Sequence, residues 1–327
     1  MHTPYCCAEL GCYSSKDPKV IEAHMFQLRK AKVGVISVSW YPPGLADDEG
    51  LPPDSLIPLL LDIAHKYAIK VTLHLEPYES RNPQSVRENL AYIRRNYFSH
   101  PAFYKHKVTT TNPHNGKTVE RQLPIVYIYD SYKSAAREWA KIFKHDGEYS
   151  VRGTDIDCVA IALLVDSAHM QFVLRGGFDG FYTYFASDRF SYGSSPSNWV
   201  ALSQFARENS LIFIPSFGPG YDDTRVRPWN KENTKLRRGG KYYTGMFKSA
   251  IQNGVGTTTN SLDGRVVKMV SLTSFNEWHE GTQIEPAVPK RTSGGSQYSY
   301  VDYNPYPPSY YLKLTHDTSA SLQCNVK

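Results

Sequence analysis

Seven short apolar runs, most of them separated by a stretch of helical periodicity, constrain this chain more than any other feature. The runs are residues 33–39, 70–75, 125–128, 159–164, 180–182, 212–216 and 269–274. Several are apolar throughout and do not alternate, which is how parallel strands covered on both faces read. The segments between them carry helix signals. Asp17-Pro18 sets a capping residue before a first-turn proline, and Val20, Ile21, His24, Leu28 and Ala31 follow at helical spacing. After Asp54, the residues Leu56, Leu59, Leu60, Ile63, Ala64 and Tyr67 line one helix face. Further helices are expected over 83–97, 135–144, 196–209 and 242–253. Strands alternating with helices build right-handed βαβ units.

An open doubly wound sheet holds seven strands, but it usually carries a glycine-rich phosphate turn after its first strand. No run here is followed by GxGxxG. Polar and aromatic residues gather instead beyond successive strand ends: Trp40-Tyr41, then His74, Glu76 and Tyr78, then Tyr129-Asp130, Asp166, Tyr182 and Tyr184, and finally Asn276 to Glu280. Many strand ends aiming functional groups at one rim is the layout of a (β/α)8 barrel. The fold expected is therefore an α/β (β/α)8 TIM barrel whose first strand is missing from this chain. It forms a single catalytic domain over 1–315, followed by a polar, frayed tail over 316–327. Two insertions interrupt the repeat. Residues 109–121 carry Asn-Pro and Asn-Gly turn signals and read as a surface hairpin, and 255–265 read as a flexible loop.

Composition narrows the function classes. With 24 Tyr, 14 Phe and 5 Trp the chain is far too aromatic to be disordered. Its longest apolar runs, 56–64 (interrupted by Pro58 and Asp62) and 159–165, fall well short of the ~20 residues of a membrane span. The net charge of +6 is spread over short isolated clusters such as Arg94-Arg95. Nucleic-acid binding wants one continuous basic stripe, so no nucleic-acid partner is expected. Cys6, Cys7, Cys12, Cys158 and Cys324 show no metal-ligand spacing, and no Asn-x-Ser/Thr sequon occurs.

The sharpest segment runs from Ser274 through Asn276, Glu277, Trp278, His279 and Glu280 to Pro286. Two carboxylates on one barrel rim suit glycoside hydrolysis, where one must stay protonated to serve the leaving oxygen. A neighbouring like charge and an apolar Trp both raise the pKa of such an acid. The competing reading is a solvated pair of loop glutamates. His74 and Glu76 share one side of a strand and admit a metal site completed by His279 or Asp130, or a hydrogen-bonded pair beneath the rim. The aromatic residues Trp40, Tyr41, Tyr78, Tyr129, Tyr182, Tyr184, Tyr221, Trp229 and Trp278 offer flat faces for a pyranose. Ordinary barrel core accounts for such residues equally. Arg225, Arg227 and Asn230 follow a tight Gly-Pro-Gly loop and are placed to pair with an acidic rim.

These residues resemble glycoside hydrolase family 99. The likeness is carried by 9–18, Val38-Ser-Trp-Tyr-Pro-Pro43, His74-Leu-Glu-Pro-Tyr78, Arg227-Pro-Trp-Asn230 and the 274–285 segment. It covers roughly 8 to 315. The resemblance implies a Golgi-membrane enzyme with a lumenal catalytic domain, anchored by an upstream helix absent from this chain. The activity implied is that of a retaining endo-α-1,2-mannosidase. It cuts the internal Man-α-1,2-Man bond of glucosylated high-mannose N-glycans and releases a glucosyl-mannose disaccharide. It also implies that Glu277 deprotonates the substrate's own 2-OH to form a 1,2-anhydro sugar, and that Glu280 protonates the leaving oxygen. Trp40 and Glu76 then serve the glucose-side subsites, with Tyr184 near the pair. The expected site thus comprises Glu277 and Glu280 with Trp40, Tyr41, His74, Glu76, Tyr78, Tyr182, Tyr184, Asn276, Trp278 and His279 binding substrate, and neither metal nor cofactor. The alternative is an impaired truncated form that at most binds oligosaccharide.

Overall fold

The computed structural model describes residues 8–46, 50, 53–111, 118–253, 269–289 and 301–324. In chain order its main elements are α1 (Pro18–Lys30), β1 (Val35–Trp40), α2 (Ile57–Lys66), β2 (Lys70–Leu75), α3 (Pro83–Asn96), β3 (Lys105–Thr111) and β4 (Thr118–Ile128). They continue with α4 (Ala136–Phe143), β5 (Val159–Leu163), α5 (His169–Gly176), β6 (Gly180–Tyr182), α6 (Trp199–Glu208), β7 (Ile212–Ile214) and β8 (Ser216–Phe217). The last are α7 (Lys241–Asn253), β9 (Ser271–Leu272) and α8 (Tyr310–Cys324).

The parallel order β1-β2-β4-β5-β6-β7 follows the chain, with β3 folded back antiparallel on β4. β7 and β8 are one strand interrupted at Pro215, which has no N–H to give to a ladder. Its carbonyl still accepts from Ser271 N at 3.1 Å, so the second half pairs with β9 where the first half paired with β6. This yields seven parallel positions, matching the seven apolar runs, in a (β/α)8 arrangement.

Strand alternation sorts the core into two layers. Val71, Leu73, Leu75, Val126, Ile128, Ala160, Ala162, Phe181 and Phe213 face the helices, where they meet Trp139, Trp199 and Leu61. Ile125, Tyr127, Val159, Ile161, Leu163, Tyr182, Ile212 and Ile214 fill the barrel interior. The interior layer thins at β1, where Val35, Ser37 and Ser39 are exposed while Trp40 is buried. Between β9 and β1 the described residues close the circle through other bonds. Ala8 bridges Ala287, Glu9 N donates to Pro286 O at 2.8 Å, and α1 lies against α8. A buried carboxylate completes this seam. Glu285 accepts from Tyr13 Oη at 2.8 Å, from Trp278 Nε1 at 2.9 Å and pairs with His24 Nε2 at 3.0 Å.

Some expectations change. The polar tail is helical to Cys324: Thr315 is buried and shares a 2.8 Å hydrogen bond with Tyr243 Oη, so helical docking overrides polarity. α5 was not anticipated because its eight residues lack a side-chain cap. β9 is limited to two residues of the run 269–274. The hairpin expected at 109–121 is formed by β3 and β4, with its tip at 112–117 outside the described residues, as is the loop at 255–265.

At the opposite end of the barrel from the rim, Arg152 ties three segments together. Its guanidinium donates to the carbonyls of Phe143, Cys158 and Gly177 at 2.7 Å each, and to the carboxylates of Asp157 at 3.3 Å and Asp179 at 2.9 Å. Truncation leaves two carboxylates and three carbonyls short of a donor. Arg152→Met should therefore cost about 3–5 kcal/mol in chemical denaturation, and Arg152→Lys should recover little, because a point ammonium cannot span the fork.

Candidate active site

The segment after β9 carries the two glutamates on a tight turn. Glu277 N donates to Ser274 Oγ at 2.9 Å and Glu277 Oε1 accepts from His279 N at 3.2 Å, which orients one carboxylate by its own loop. Asp222 N donates to Glu280 O at 2.8 Å and fixes the second against the 218–223 loop. Gly281 makes this approach possible. Its φ is +60°, and a Cβ there would stand 2.9 Å from Asp222 O.

Glu280 sits in a different environment from Glu277. Its side chain is 16% exposed. Burial, with the like charge of Glu277, pushes its carboxyl from the usual 4.5 up to about 7, and Arg227 pulls against this. Arg227 Nη1 lies 3.7 Å from Glu280 Oε1 and 3.2 Å from Asp223 Oδ2. Asp223 is fully buried, and the same oxygen accepts from Tyr221 Oη at 2.9 Å and Asn230 Nδ2 at 2.9 Å. The pairing of Arg227 with the acidic rim follows the sequence reading. Asp223 as its buried counter-charge does not, since one of two adjacent aspartates in a Gly-rich loop carries no signal of burial.

Below the pair lies a nest of tyrosines around His74. Tyr129, Tyr182 and Tyr184 place their ring centroids 5.1, 5.7 and 5.8 Å from the imidazole. The Glu76 carboxylate takes His74 Nδ1 at 2.6 Å and Tyr182 Oη takes Nε2 at 2.6 Å. With a carboxylate on Nδ1–H, Nε2 is the acceptor of the tyrosine proton. Both ring nitrogens are thus engaged inside the barrel, which favours the hydrogen-bonded pair over the metal reading. Burial, and then the charge of Glu280, hold the Tyr184 hydroxyl well above its ordinary pKa. Tyr184 has φ +55°, a left-handed conformation that costs a bulky residue of order 1–3 kcal/mol. Ser216 Oγ accepts from its N–H at 2.7 Å and Thr273 Oγ1 donates to its carbonyl at 2.6 Å, so β8 and the residue just after β9 hold it there.

The remaining expected site residues divide. Trp40 is withdrawn from the mouth. It shares the outward parity of Ile36 and Val38, aligns with Leu75, is fully buried, and donates Nε1 to Asp54 Oδ1 at 2.8 Å. A subsite role for Trp40 does not fit this placement. The Tyr78 hydroxyl is turned to α3, sharing hydrogen bonds with Ser85 Oγ and Asn89 Nδ2 at 2.8 Å each. Tyr41, Trp278 and His279 are half-buried and Asn276 is exposed around the rim. Glu76 lies close to Arg81, which donates to the carbonyls of Leu75 and Asp130 at 3.2 and 3.0 Å. Among the described residues no three His, Cys, Asp or Glu side chains converge as a metal site.

A parallel barrel with a carboxyl pair on its rim, one member held protonated near neutrality, defines the class of barrel glycoside hydrolases. Comparison with known proteins gives the family. A solved structure of the GH99 endo-alpha-mannosidase from Bacteroides thetaiotaomicron superposes with TM-score 0.83 at 41% identity, over 98% of this chain and 84% of that one. The Glycoprotein endo-alpha-1,2-mannosidase of Xenopus laevis is 51% identical over 95% of the chain, and the Glycoprotein endo-alpha-1,2-mannosidase-like protein of Homo sapiens 48% over 94%. The chain spans 64% and 62% of their respective lengths. Residues 4–324 match the model of Glycosyl hydrolase family 99, and the chain belongs to that family.

The raised pKa of Glu280 has a stability consequence. A carboxyl whose folded pKa exceeds its unfolded value stabilises the fold at low pH, and that contribution is lost as pH rises from 4.5 through about 7. Glu280→Gln should accordingly melt a few degrees above the wild type at pH 8 and show no such advantage at pH 4.5. Glu285→Gln should act in the opposite direction. An amide N–H₂ turned toward three donors leaves at least one unpaired, lowering stability by about 1–3 kcal/mol in denaturant titration.

Proposed function

We propose that this chain is the catalytic domain of a retaining endo-α-1,2-mannosidase acting on glucosylated high-mannose N-glycans, with release of a glucosyl-mannose disaccharide. The observation that carries the reading is the unequal carboxyl pair, with Glu280 protonated into the neutral range and Glu277 three residues away. Membership of the family and the names of its relatives supply the linkage.

An α-mannoside carries its 2-OH trans to the leaving group, so this oxygen is aligned to attack C1 from the opposite face. In the first step the Glu277 carboxylate takes the 2-OH proton as O2 bonds to C1, the C1–O glycosidic bond breaks, and Glu280 gives its proton to the leaving oxygen. In the second, Glu280 takes a proton from water whose oxygen attacks C1. The C1–O2 bond of the 1,2-anhydro sugar opens, and Glu277 returns the proton to O2. Two inversions give net retention without a glycosyl ester, a departure from the usual two-carboxylate scheme. The Tyr129 and Tyr184 hydroxyls below the pair remain protonated and are offered to the sugar as hydrogen-bond donors. The same reading places the domain in the Golgi lumen, held by an anchor outside these residues. Among the described residues no helix is long and apolar enough to cross a membrane.

Glu280→Gln and Glu277→Gln should each lower release of the disaccharide from a glucosylated mannose oligosaccharide by roughly 10²–10⁴-fold. Unchanged turnover in either variant overturns the assignment. The wild-type rate should fall as pH rises through about 7, where Glu280 loses its proton. Arg227→Met removes the cation that opposes this protonation, and should move that alkaline limb to higher pH.

A further inference from the structure

Four of the five tryptophans are buried or half-buried: Trp40, Trp139 and Trp199 are 0% exposed, and Trp278 packs against the core. Trp229 is 79% exposed. An exposed indole at a loose loop tip needs no explanation. The loop bearing Trp229 is held at both ends, where Tyr221 N donates to Lys235 O at 3.0 Å and Lys235 N to Tyr221 O at 2.8 Å. Within it, Trp229 stands in a two-turn 3₁₀ segment, Pro228–Asn233, between two anchors. Arg227 on one side reaches Asp223 at 3.2 Å and Glu280 at 3.7 Å, and Asn230 on the other reaches Asp223 at 2.9 Å. Asn230 is itself fixed by Asn233 Nδ2 at 2.6 Å, and the Asn233 carbonyl by Ser187 Oγ at 2.7 Å. A well-anchored turn therefore carries an unburied indole two residues from the arginine that faces Glu280.

Positions 227 and 230 share one side of a 3₁₀ turn, and 229 projects about 120° away from them. The indole thus stands lateral to the Asp223 network and clear of it. With a rise of about 2 Å per residue it lies within roughly 10–15 Å of the acid, a distance of two to three hexoses. Glu277, on Glu280's own turn, serves the sugar being cut, which leaves the separate loop that meets Glu280 through Arg227 to flank the leaving sugar. An indole face packs on the C–H side of a pyranose and tolerates any hydroxyl pattern at its edges.

Resting on the endo-mannosidase reading, we infer that Trp229 is a stacking platform for mannose residues on the leaving-group side of the cleaved bond, two or three units out. It lengthens the recognised substrate and takes no part in bond breaking. Because the indole is solvated already, its removal spares the core, and melting temperatures of the variants should equal that of the wild type.

The test compares kcat/KM on two oligosaccharides that share the glucosyl-mannose end and differ only in bearing one or three leaving-side mannoses. The wild type should prefer the longer by roughly tenfold, through KM. Trp229→Ala should erase that preference and Trp229→Phe should keep part of it. An equal preference in wild type and Trp229→Ala overturns the inference, as does a loss shared equally by both substrates. Wild-type protein that cleaves neither overturns the endo-mannosidase reading and this one with it. Cleavage with an unaltered length preference overturns this one alone.

Discussion

The catalytic segment depends on one buried carboxylate. Glu285 is 0% exposed, and three donors converge on it from Tyr13, from His24 on α1 and from Trp278. Removing a carboxylate from water is costly unless its lone pairs are met, and here they are met by residues from both ends of the sequence. Neighbouring backbone is fixed in the same way. Arg237 donates to the carbonyls of Gly281 and Gln283 at 2.9 and 2.7 Å while stacked 4.6 Å over Tyr311, and Tyr303 Oη donates to the Glu285 carbonyl at 2.7 Å. Closing the barrel and aiming the 277–280 turn are therefore one event. A chain that fails to bring α1 against the last strand cannot assemble its rim.

Within that frame, two like residues three positions apart are made unlike. Glu277 accepts an amide proton of its own loop, while Glu280 is covered and pushed upward by burial and by its neighbour. Asp223 keeps Arg227 close to Glu280 but shares its charge, so the guanidinium moderates the acid without converting it into a simple ion pair. The result is a donor and an acceptor on one turn, separated by environment and not by sequence identity.

Much of this was legible from residues alone. Central strands buried on both faces leave continuous apolar runs, so their number and order could be read directly. The 274–286 segment announced its carboxyl pair through composition. Trp40 shows where such reading fails: position just beyond a strand suggested the mouth, whereas its parity with Ile36 and Val38 sends the ring outward to Asp54. For His74 the residues left a metal site and a hydrogen-bonded pair beneath the rim both open, because the interior face of β2 meets tyrosines from β4 and β6 that only the closed barrel brings together. Asp223 gave no signal of its burial although its partners Tyr221, Arg227 and Asn230 are local, whereas the partners Tyr13 and His24 of Glu285 lie at the far end of the sequence. Helix α8 was missed because a polar sequence docks through a few contacts such as Thr315.

The tyrosine nest carries one more implication. Tyr127, Tyr129, Tyr182 and Tyr184 are each shifted upward by burial, so their hydroxyls keep their protons throughout any pH a cell compartment offers. These four hydroxyls are thus fixed dipoles that do not change their charge. A change of pH through the neutral range therefore alters the charge of Glu280 on the rim while leaving these four hydroxyls as they are.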